Sequence, residues 1–499
     1  MINQVGIFRK SALTVAVALS ITGEAYAADS ELVINTQNRI VESRSWSNGF
    51  GTLLATNGSG LYLEVWQGDD EILYGQYSQL GNVIGAAFPL AVPETSPSQL
   101  ALAMNANGDA VFIWSGAAMI SNVRQGGLFA QSIPANSTAV TPSPMVLSTT
   151  DYYWLSASMD SLGGFNVTAA DMGGVVKHFN ASGALVASFD FAEGSCTTPM
   201  SALMGGMHFH LKSAGAPGHM TKACMPSLAT NADGVSVVAW DQGGHIYARK
   251  FDNAGAPLDS YPQQIDVTPQ AVINGKTGIP KTEYFPVDPA VAIDDEGNFI
   301  VAWERVKVGS STQFKKTRVC YSYYYTDYCY TRRDAIVRSA MGSSIVAQRF
   351  IAGLPVNINQ GLPADKVLLR SGNKRNGYMK IDSDGTGNFA LAWTQWFADP
   401  AQLNHFGSVS NGEIIVKSNV MARKFASTMK PDGPGYVLEK ASKAKPGSND
   451  YSSAFVPHVA LDDQGSMEVS WDLESRTMEN GGGASSVSSV RFVPGKGVK

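Results

Sequence analysis

Internal repetition constrains this chain more than any other feature. The segment Pro289-Ala-Val-Ala-Ile-Asp-Asp-Glu-Gly-Asn-Phe-Ile-Val-Ala-Trp303 returns as Pro226-Ser-Leu-Ala-Thr-Asn-Ala-Asp-Gly-Val-Ser-Val-Val-Ala-Trp240 and as Pro457-His-Val-Ala-Leu-Asp-Asp-Gln-Gly-Ser-Met-Glu-Val-Ser-Trp471. Weaker copies end at Trp66, Trp114 and Trp393, and a further one ends at Ala170, where alanine fills the tryptophan slot. Six residues before each slot stands a glycine: Gly60, Gly108, Gly164, Gly234, Gly297, Gly387 and Gly465. Glycine makes up 50 of the 499 residues, so a hit at every slot marks a true repeat. A second anchor follows, a small residue three before an aromatic one: Ala248 to Phe251, Ala347 to Phe350 and Ala422 to Phe425, with Val176 to Phe179 and Ser489 to Phe492 close to it. Ala130 to Ile133 and Gly75 to Ser78 are degenerate versions.

Each repeat reads as four strands. Val-Ala-x-Asp and Phe-Ile-Val-Ala-Trp are short and rich in β-formers, and an Asx-x-x-Gly turn joins them. The third strand carries Ala-x-x-Phe, and a turn such as Asp252-Asn-Ala-Gly255 leads to the fourth. Four-stranded units of this length in series predict an all-β, seven-bladed β-propeller. The blades are expected at about 49–92, 99–148, 156–192, 226–267, 289–369, 379–440 and 457–499. The last repeat stops after its third strand, and Glu31-Leu-Val-Ile-Asn35 is an orphan strand. Residues 31–35 are therefore expected to complete the seventh blade and close the ring.

The chain opens as an export signal. Arg9 and Lys10 precede a short apolar run, and Ala25-Tyr26-Ala27 has the small-x-small form of a cleavage site. Residues 1–27 are expected to be removed, leaving a domain at 28–499 in a periplasmic or secreted location. No stretch is long and apolar enough to predict a membrane span, and a net charge of -5 argues against nucleic acid as the partner. The four cysteines fall into two local pairs, Cys196 with Cys224 and Cys320 with Cys329, read as two disulfides of an exported chain.

The consensus P-x-V-A-x-D-x-x-G-N-F-x-V-A-W, followed by A-Q-R-F, resembles the repeats of exported bacterial β-propeller proteins over nearly the whole of 28–499. The resemblance implies the fold and no single role. Ser383-Asp-Gly-Thr-Gly-Asn388 departs from the sialidase-type Asp box in spacing and lacks its tryptophan, so no sialidase chemistry is carried over.

Connections alternate between the two faces of such a ring. Turns between strands one and two, and three and four, are short throughout. Extra residues gather on the opposite face, at Arg305 to Gly342, Gln395 to Ser418, Leu473 to Ala484, Glu193 to Met225 and Thr268 to Asp288. Loops on a rigid scaffold are where binding concentrates, so this is the expected working face. Its first candidate is Cys320-Tyr-Ser-Tyr-Tyr-Tyr-Thr-Asp-Tyr-Cys329, where Tyr321, Tyr323, Tyr324, Tyr325 and Tyr328 are flanked by Arg318, Arg332 and Arg333. Tyrosine supplies contact area at low entropy cost and arginine grips carboxylates, which fits a glycan or a protein partner. Packing of the loop against its own neighbours is the plainer alternative.

Two other chemistries stay open. Met204, Met207, His208, His210 and His219 include soft and imidazole ligands of the kind copper takes, although no metal-site spacing recurs and no cofactor is predicted. Asp171, Asp241, Glu304 and Asp472 follow the tryptophan slot in four repeats, and paired carboxylates serve glycoside cleavage by a glycosidase or lyase. No nucleophile elbow, P-loop or zinc signature is present. Asx-rich turns such as Asp382-Ser-Asp384-Gly-Thr-Gly-Asn388 read as hairpin turns in preference to calcium sites. The balance favours a non-enzymatic exported binding protein.

Overall fold

A computed structural model describes residues 39–41, 52–67, 72–79, 82–90, 99–135, 137–138, 144–150, 152–170, 174–192, 226–260, 262–266, 271–273, 280–311, 315–323, 326–334, 337–356, 366–370, 374–397, 417–433, 435–440, 451–477 and 482–492. No helix occurs among them. The protein is all-β, with six four-stranded blades set in a propeller ring. In chain order, sheets 1 to 4 begin with the inner strands Leu53–Thr56, Gln99–Met104, Tyr153–Met159 and Ser227–Thr230. Sheet 5 has six strands, among them Pro280–Ile293, Phe299–Ser311 and Val337–Ile351. Sheet 6 begins with Arg375–Ser383 and sheet 7 with Tyr451–Leu461. The inner strands neighbour one another in that order, and the inner strand of sheet 7 returns to that of sheet 1.

Packing explains why the repeat is apolar on both faces. Leu63 and Val65 of sheet 1 meet Phe112 and Trp114 of sheet 2. Val237 and Ala239 of sheet 4 meet Val301 and Trp303 of sheet 5. Ala390 and Ala392 of sheet 6 meet Val469 and Trp471 of sheet 7. The recurring aromatic of strand three stacks on strand two, as in Phe299 on Phe350 with ring centres 4.5 Å apart and Phe389 on Phe425 at 4.9 Å. Such offset pairs contribute beyond their buried area.

The Asx-x-x-Gly turns are hydrogen-bonded hairpins, and this accounts for their oxygens without a cation. Asp384 Oδ1 accepts from the backbone N–H groups of Thr386 and Asn388, and Asn105 Oδ1 does the same for Asn107 and Asp109. The repeat glycine sits at positive φ in every sheet but the third, from 76° at Gly297 to 92° at Gly60, where a side chain is disfavoured. The third sheet corrects the sequence alignment. There the positive-φ glycine is Gly163, at 86°, while Gly164 is not in that region. Strand pairing of Met159 with Phe165, against Thr230 with Ser236 in sheet 4, puts the tryptophan slot at Ala169 instead of Ala170.

Turns on this face bind each sheet to the next. Asn57 Nδ2 donates to Ala106 O at 3.5 Å, Asn107 Nδ2 to Ser161 O at 2.9 Å, and Ser161 Oγ to Ala232 O at 2.7 Å. Asn231 Nδ2 donates to Asp295 O at 3.3 Å, and the Asp295 N–H to Gly385 O at 3.4 Å. The Gly385 N–H reaches Asp463 Oδ1 at 2.9 Å, and the Asp463 N–H reaches Gly58 O at 2.7 Å. The collar thus returns to the sheet where it began. The basic residue of the A-x-[KR]-F motif adds a second tie. Lys250, Arg349 and Lys424 donate to the turn-glycine carbonyls of the following sheet, Gly297, Gly387 and Gly465, at 2.9, 2.6 and 2.7 Å.

Sheet 7 is completed from the N-terminal side, but by Arg39–Val41, which pairs with Val487, Ser486 and Ser485. Residues 31–35, the expected closing strand, lie outside the described residues. Thr52 Oγ1 donates to Ser470 Oγ at 2.9 Å, and the Tyr62 hydroxyl lies 3.1 Å from Asp462 Oδ2, so buried polar contacts also join sheets 1 and 7.

Candidate functional site

Around the axis the inner strands enclose a channel of about 390 Å³, lined by residues of every sheet from 1 to 7. The positions two and four residues before each turn Asx, Ala290 excepted, are among the residues that line it. At the position two before, Ala55, Ala103, Ser158, Ala229, Ala292 and Ala460 are small and neutral, and Asp382 breaks the series. At the position four before, Leu53, Ala101, Ser156, Ser227 and Ala290 give way to Lys380 and His458. The ionisable side chains of these two levels therefore gather on sheets 6 and 7.

Local backbone geometry is irregular at this corner, as it is between Tyr153 and Ser156 of sheet 3. The inner strands of sheets 5, 6 and 7 each carry a bulge at the long-loop end, between Val287 and Ala290, Gly377 and Lys380, and Phe455 and His458. Bulges re-aim side chains and recur beside functional sites. Asp288 and Tyr378 occupy two of them at φ of 54° and 49°, a costly conformation for residues other than glycine. Asp288 Oδ2 accepts the Met379 N–H at 3.1 Å, and Asp382 Oδ2 accepts the Leu461 N–H at 2.8 Å. Ser156 and Ser227 do the same service in earlier sheets, for Leu228 and Val291. These side chains satisfy inner-strand N–H groups that would otherwise face the channel unpaired.

Electrostatics at the corner follow from enclosure. Burial pushes the Asp288 carboxyl up to about 6, with the neighbouring Glu304 adding and Lys380 opposing. Burial likewise pushes Asp382 up to about 7. It pushes His458 down to about 3, helped by the positive charge of Lys380. Lys380 itself is lowered by burial, against the pull of Asp288. Tyr378 is raised by burial and then by Asp288. Lys380 is open to the channel space yet ringed by protein. Among the described residues, neither its Nζ nor the His458 ring has a hydrogen-bond or ion-pair partner.

The expected site residues fall elsewhere. Asp241 and Glu304 are 4% and 1% exposed, and Glu304 Oε1 accepts the Asn376 N–H of the next sheet at 2.9 Å. Asp472 lies in the strand Met467–Thr477; Asp171, Met204, Met207, His208, His210, His219, Cys196 and Cys224 lie outside the described residues. Among the described residues, no three His, Cys, Asp or Glu side chains converge as metal ligands.

Arg305 to Gly342 is expected as a loop, yet it is largely strand. The pairing of Phe299–Ser311 with Val337–Ile351 continues out to Ser311 opposite Val337. The hairpin Lys315–Tyr323 and Thr326–Asp334 follows, with Cys320 opposite Cys329 and Tyr321 opposite Tyr328. Arg318, Arg332 and Arg333 lie in this hairpin, and Tyr324 and Tyr325 lie outside the described residues. Strand alternation puts Tyr321, Tyr323, Tyr328 and Arg332 on one face by register, with Tyr330 as a member the sequence reading omitted. Leu473 to Ala484 likewise falls largely in the paired strands Met467–Thr477 and Gly482–Phe492, and Thr268 to Asp288 contains Ala271–Ile273 and the start of Pro280–Ile293. Sheet 2 has a prolonged hairpin as well, Ala110–Ile120 with Val123–Ile133, turned by Ser121 and Asn122 at positive φ.

Missed at the sequence level were Asp288, Tyr378, Lys380, Asp382 and His458. Their signal was present: Lys380 and Asp382 stand where the other copies carry alanine, serine or, with Lys380, leucine and histidine.

A closed ring of four-stranded blades around a polar channel defines a β-propeller. No protein-family model and no curated protein sequence matches the chain. Among solved structures it is similar to AofleA from Arthrobotrys oligospora, at 7% identity and a TM-score of 0.34 over 81% of this chain and 90% of that one. It is also similar to the endo-arabinase from Bacteroides thetaiotaomicron, at 12% identity and a TM-score of 0.28 over 66% and 89%. A third is the Penicillium chrysogenum α-L-arabinanase, at 8% identity and 0.29 over 90% and 97%. Among the described residues no helix is long and apolar enough to cross a membrane.

Proposed function

We propose that sheet 5 is the blade that brings the ring to seven, and that this exported propeller is a binding protein whose long-loop face takes a glycan. The observation that carries the reading is the two-stranded ribbon Lys315–Tyr323 with Thr326–Asp334, inserted between two strands of sheet 5, which packing of a blade does not require. Tyrosines in register along one face of a ribbon offer flat apolar surfaces to sugar rings, and Arg332 among them suits acidic substituents. A bond between Cys320 and Cys329, which stand opposite each other, would fix the ribbon in an oxidising compartment. Binding is preferred to polysaccharide cleavage because Glu304 is buried and engaged by Asn376.

A glycan-array screen of residues 28–499 beside a Tyr321→Ala, Tyr323→Ala variant tests this. Selective binding by the parent and its loss in a variant of equal stability is the expected result. Selective binding that survives the double substitution removes the ribbon from the site. No binding by either overturns the glycan reading and leaves a protein surface as the partner.

A further inference from the structure

The channel poses a problem that the ribbon does not solve. Lys380 opens onto the channel space while protein rings it, so its ammonium is only partly screened by bulk water. Lys380 has no ion-pair partner among the described residues, and the same is true of the hydrogen-bonding capacity of His458. Both carboxylates nearby are already engaged, Asp288 by the Met379 N–H and Asp382 by the Leu461 N–H. In the other sheets the same positions are filled by leucine, alanine or serine, so the ring closes without an ionisable group there. Lys380 and His458 thus present donors with no protein partner among the described residues to a cavity of about 390 Å³, a size at which small-molecule sites begin.

We propose that the channel is a second binding site, for a small organic carboxylate held between the Lys380 ammonium and the His458 ring N–H. The walls supply the rest: Ser156 and Ser227, whose oxygens accept backbone N–H groups, keep hydroxyl protons to donate, and alanines leave room. Burial keeps His458 neutral, so its ring carries a single N–H, and the single positive charge is that of Lys380. The short-turn mouth is rimmed by Asp295 and Asp463, which repel an anion, so the ligand enters from the long-loop side. Nothing in this site depends on what the ribbon binds.

Calorimetric titration of the protein with D-glucuronate, and with D-glucose as the uncharged ring of the same size, tests the site. Glucuronate is expected to bind and glucose to give no saturable heat. Lys380→Met should weaken glucuronate by about tenfold or more, the loss of one charge-assisted contact. His458→Gln should weaken it less, and the Tyr321→Ala, Tyr323→Ala variant should leave it unchanged. Equal binding of glucose and glucuronate, or no binding of glucuronate, overturns the proposal without any variant. So does a Lys380→Met protein that melts like the parent and binds glucuronate as well. Should Lys380→Met fail to fold, undiminished binding by His458→Gln overturns the assignment of the two donors.

Discussion

At the scale of residues, the channel corner sets opposite demands on pH. Burial raises Asp382 from 3.8 to about 7, so the fold favours its neutral form. That contribution to stability is whole below about pH 4 and is lost as pH rises through about 7. His458 is lowered from 6.5 to about 3, and its contribution is whole above 6.5 and lost as pH falls toward 3. As pH rises from 4.5 to 7, the denaturant midpoint of the parent should therefore fall relative to that of Asp382→Asn. As pH falls from 6.5 to 4.5, it should fall relative to that of His458→Gln. Parallel curves in either comparison would refute the corresponding assignment. Little of this corner is legible from composition, because one lysine, one aspartate and one histidine are unremarkable in a long chain. It becomes legible only when the repeats are aligned and read column by column. Alignment itself has a limit at this scale: Gly163 and Gly164 both offer a turn glycine, and only strand register shows that Gly163 takes the positive-φ place.

At the scale of elements, the A-x-[KR]-F motif acquires a reason. Its basic residue ties each third strand to the following sheet, and the ties differ in kind. Lys424 donates to Gly465 O and lies 3.7 Å from an exposed Asp432, whereas Arg349 also pairs with the buried Asp294 at 2.9 Å. Lys424→Met should cost about 1–2 kcal/mol, in the range of a hydrogen bond from a charged donor. Arg349→Met should cost about 3 kcal/mol or more, because it strands a buried carboxylate. Urea unfolding of the two variants checks the order; equal losses would show that Asp294 finds water or another partner. The four-strand pattern of a repeat was readable from its turns, since glycine and Asx mark hairpins by backbone chemistry. The ribbon was not, because Cys320 to Cys329 lacks a glycine or Asx-Gly turn and its tyrosines suit a strand and a packed loop equally.

At the scale of the whole molecule, closure is the decisive property. Arg39–Val41 occupies the outer edge of sheet 7, and edge strands left open are unstable and adhesive. Removing residues 28–41 should lower the thermal midpoint and raise the tendency to associate, read by differential scanning calorimetry and light scattering. An unchanged midpoint would mean that the turn collar and the Tyr62 contact suffice. Sequence reading anticipated an N-terminal closing strand but placed it at Glu31 to Asn35, where a compact apolar run attracted the assignment. Arg39–Val41 is three residues long and has no pattern of its own; its place is set by the register of Gly482–Phe492.

That clasp also has a bearing on time. The two strands it joins stand more than 440 residues apart in the chain, so the last sheet cannot form until nearly all of the polypeptide has been made. Sheets 1 to 6 draw their pairing from nearby residues and can gather early, while the N-terminal strand must wait unpaired for its partner. Contacts of such long range are slow to make. The interval before the ring snaps shut is when the chain is most open to aggregation and to proteases, and its length is governed by the rate at which residue 492 arrives.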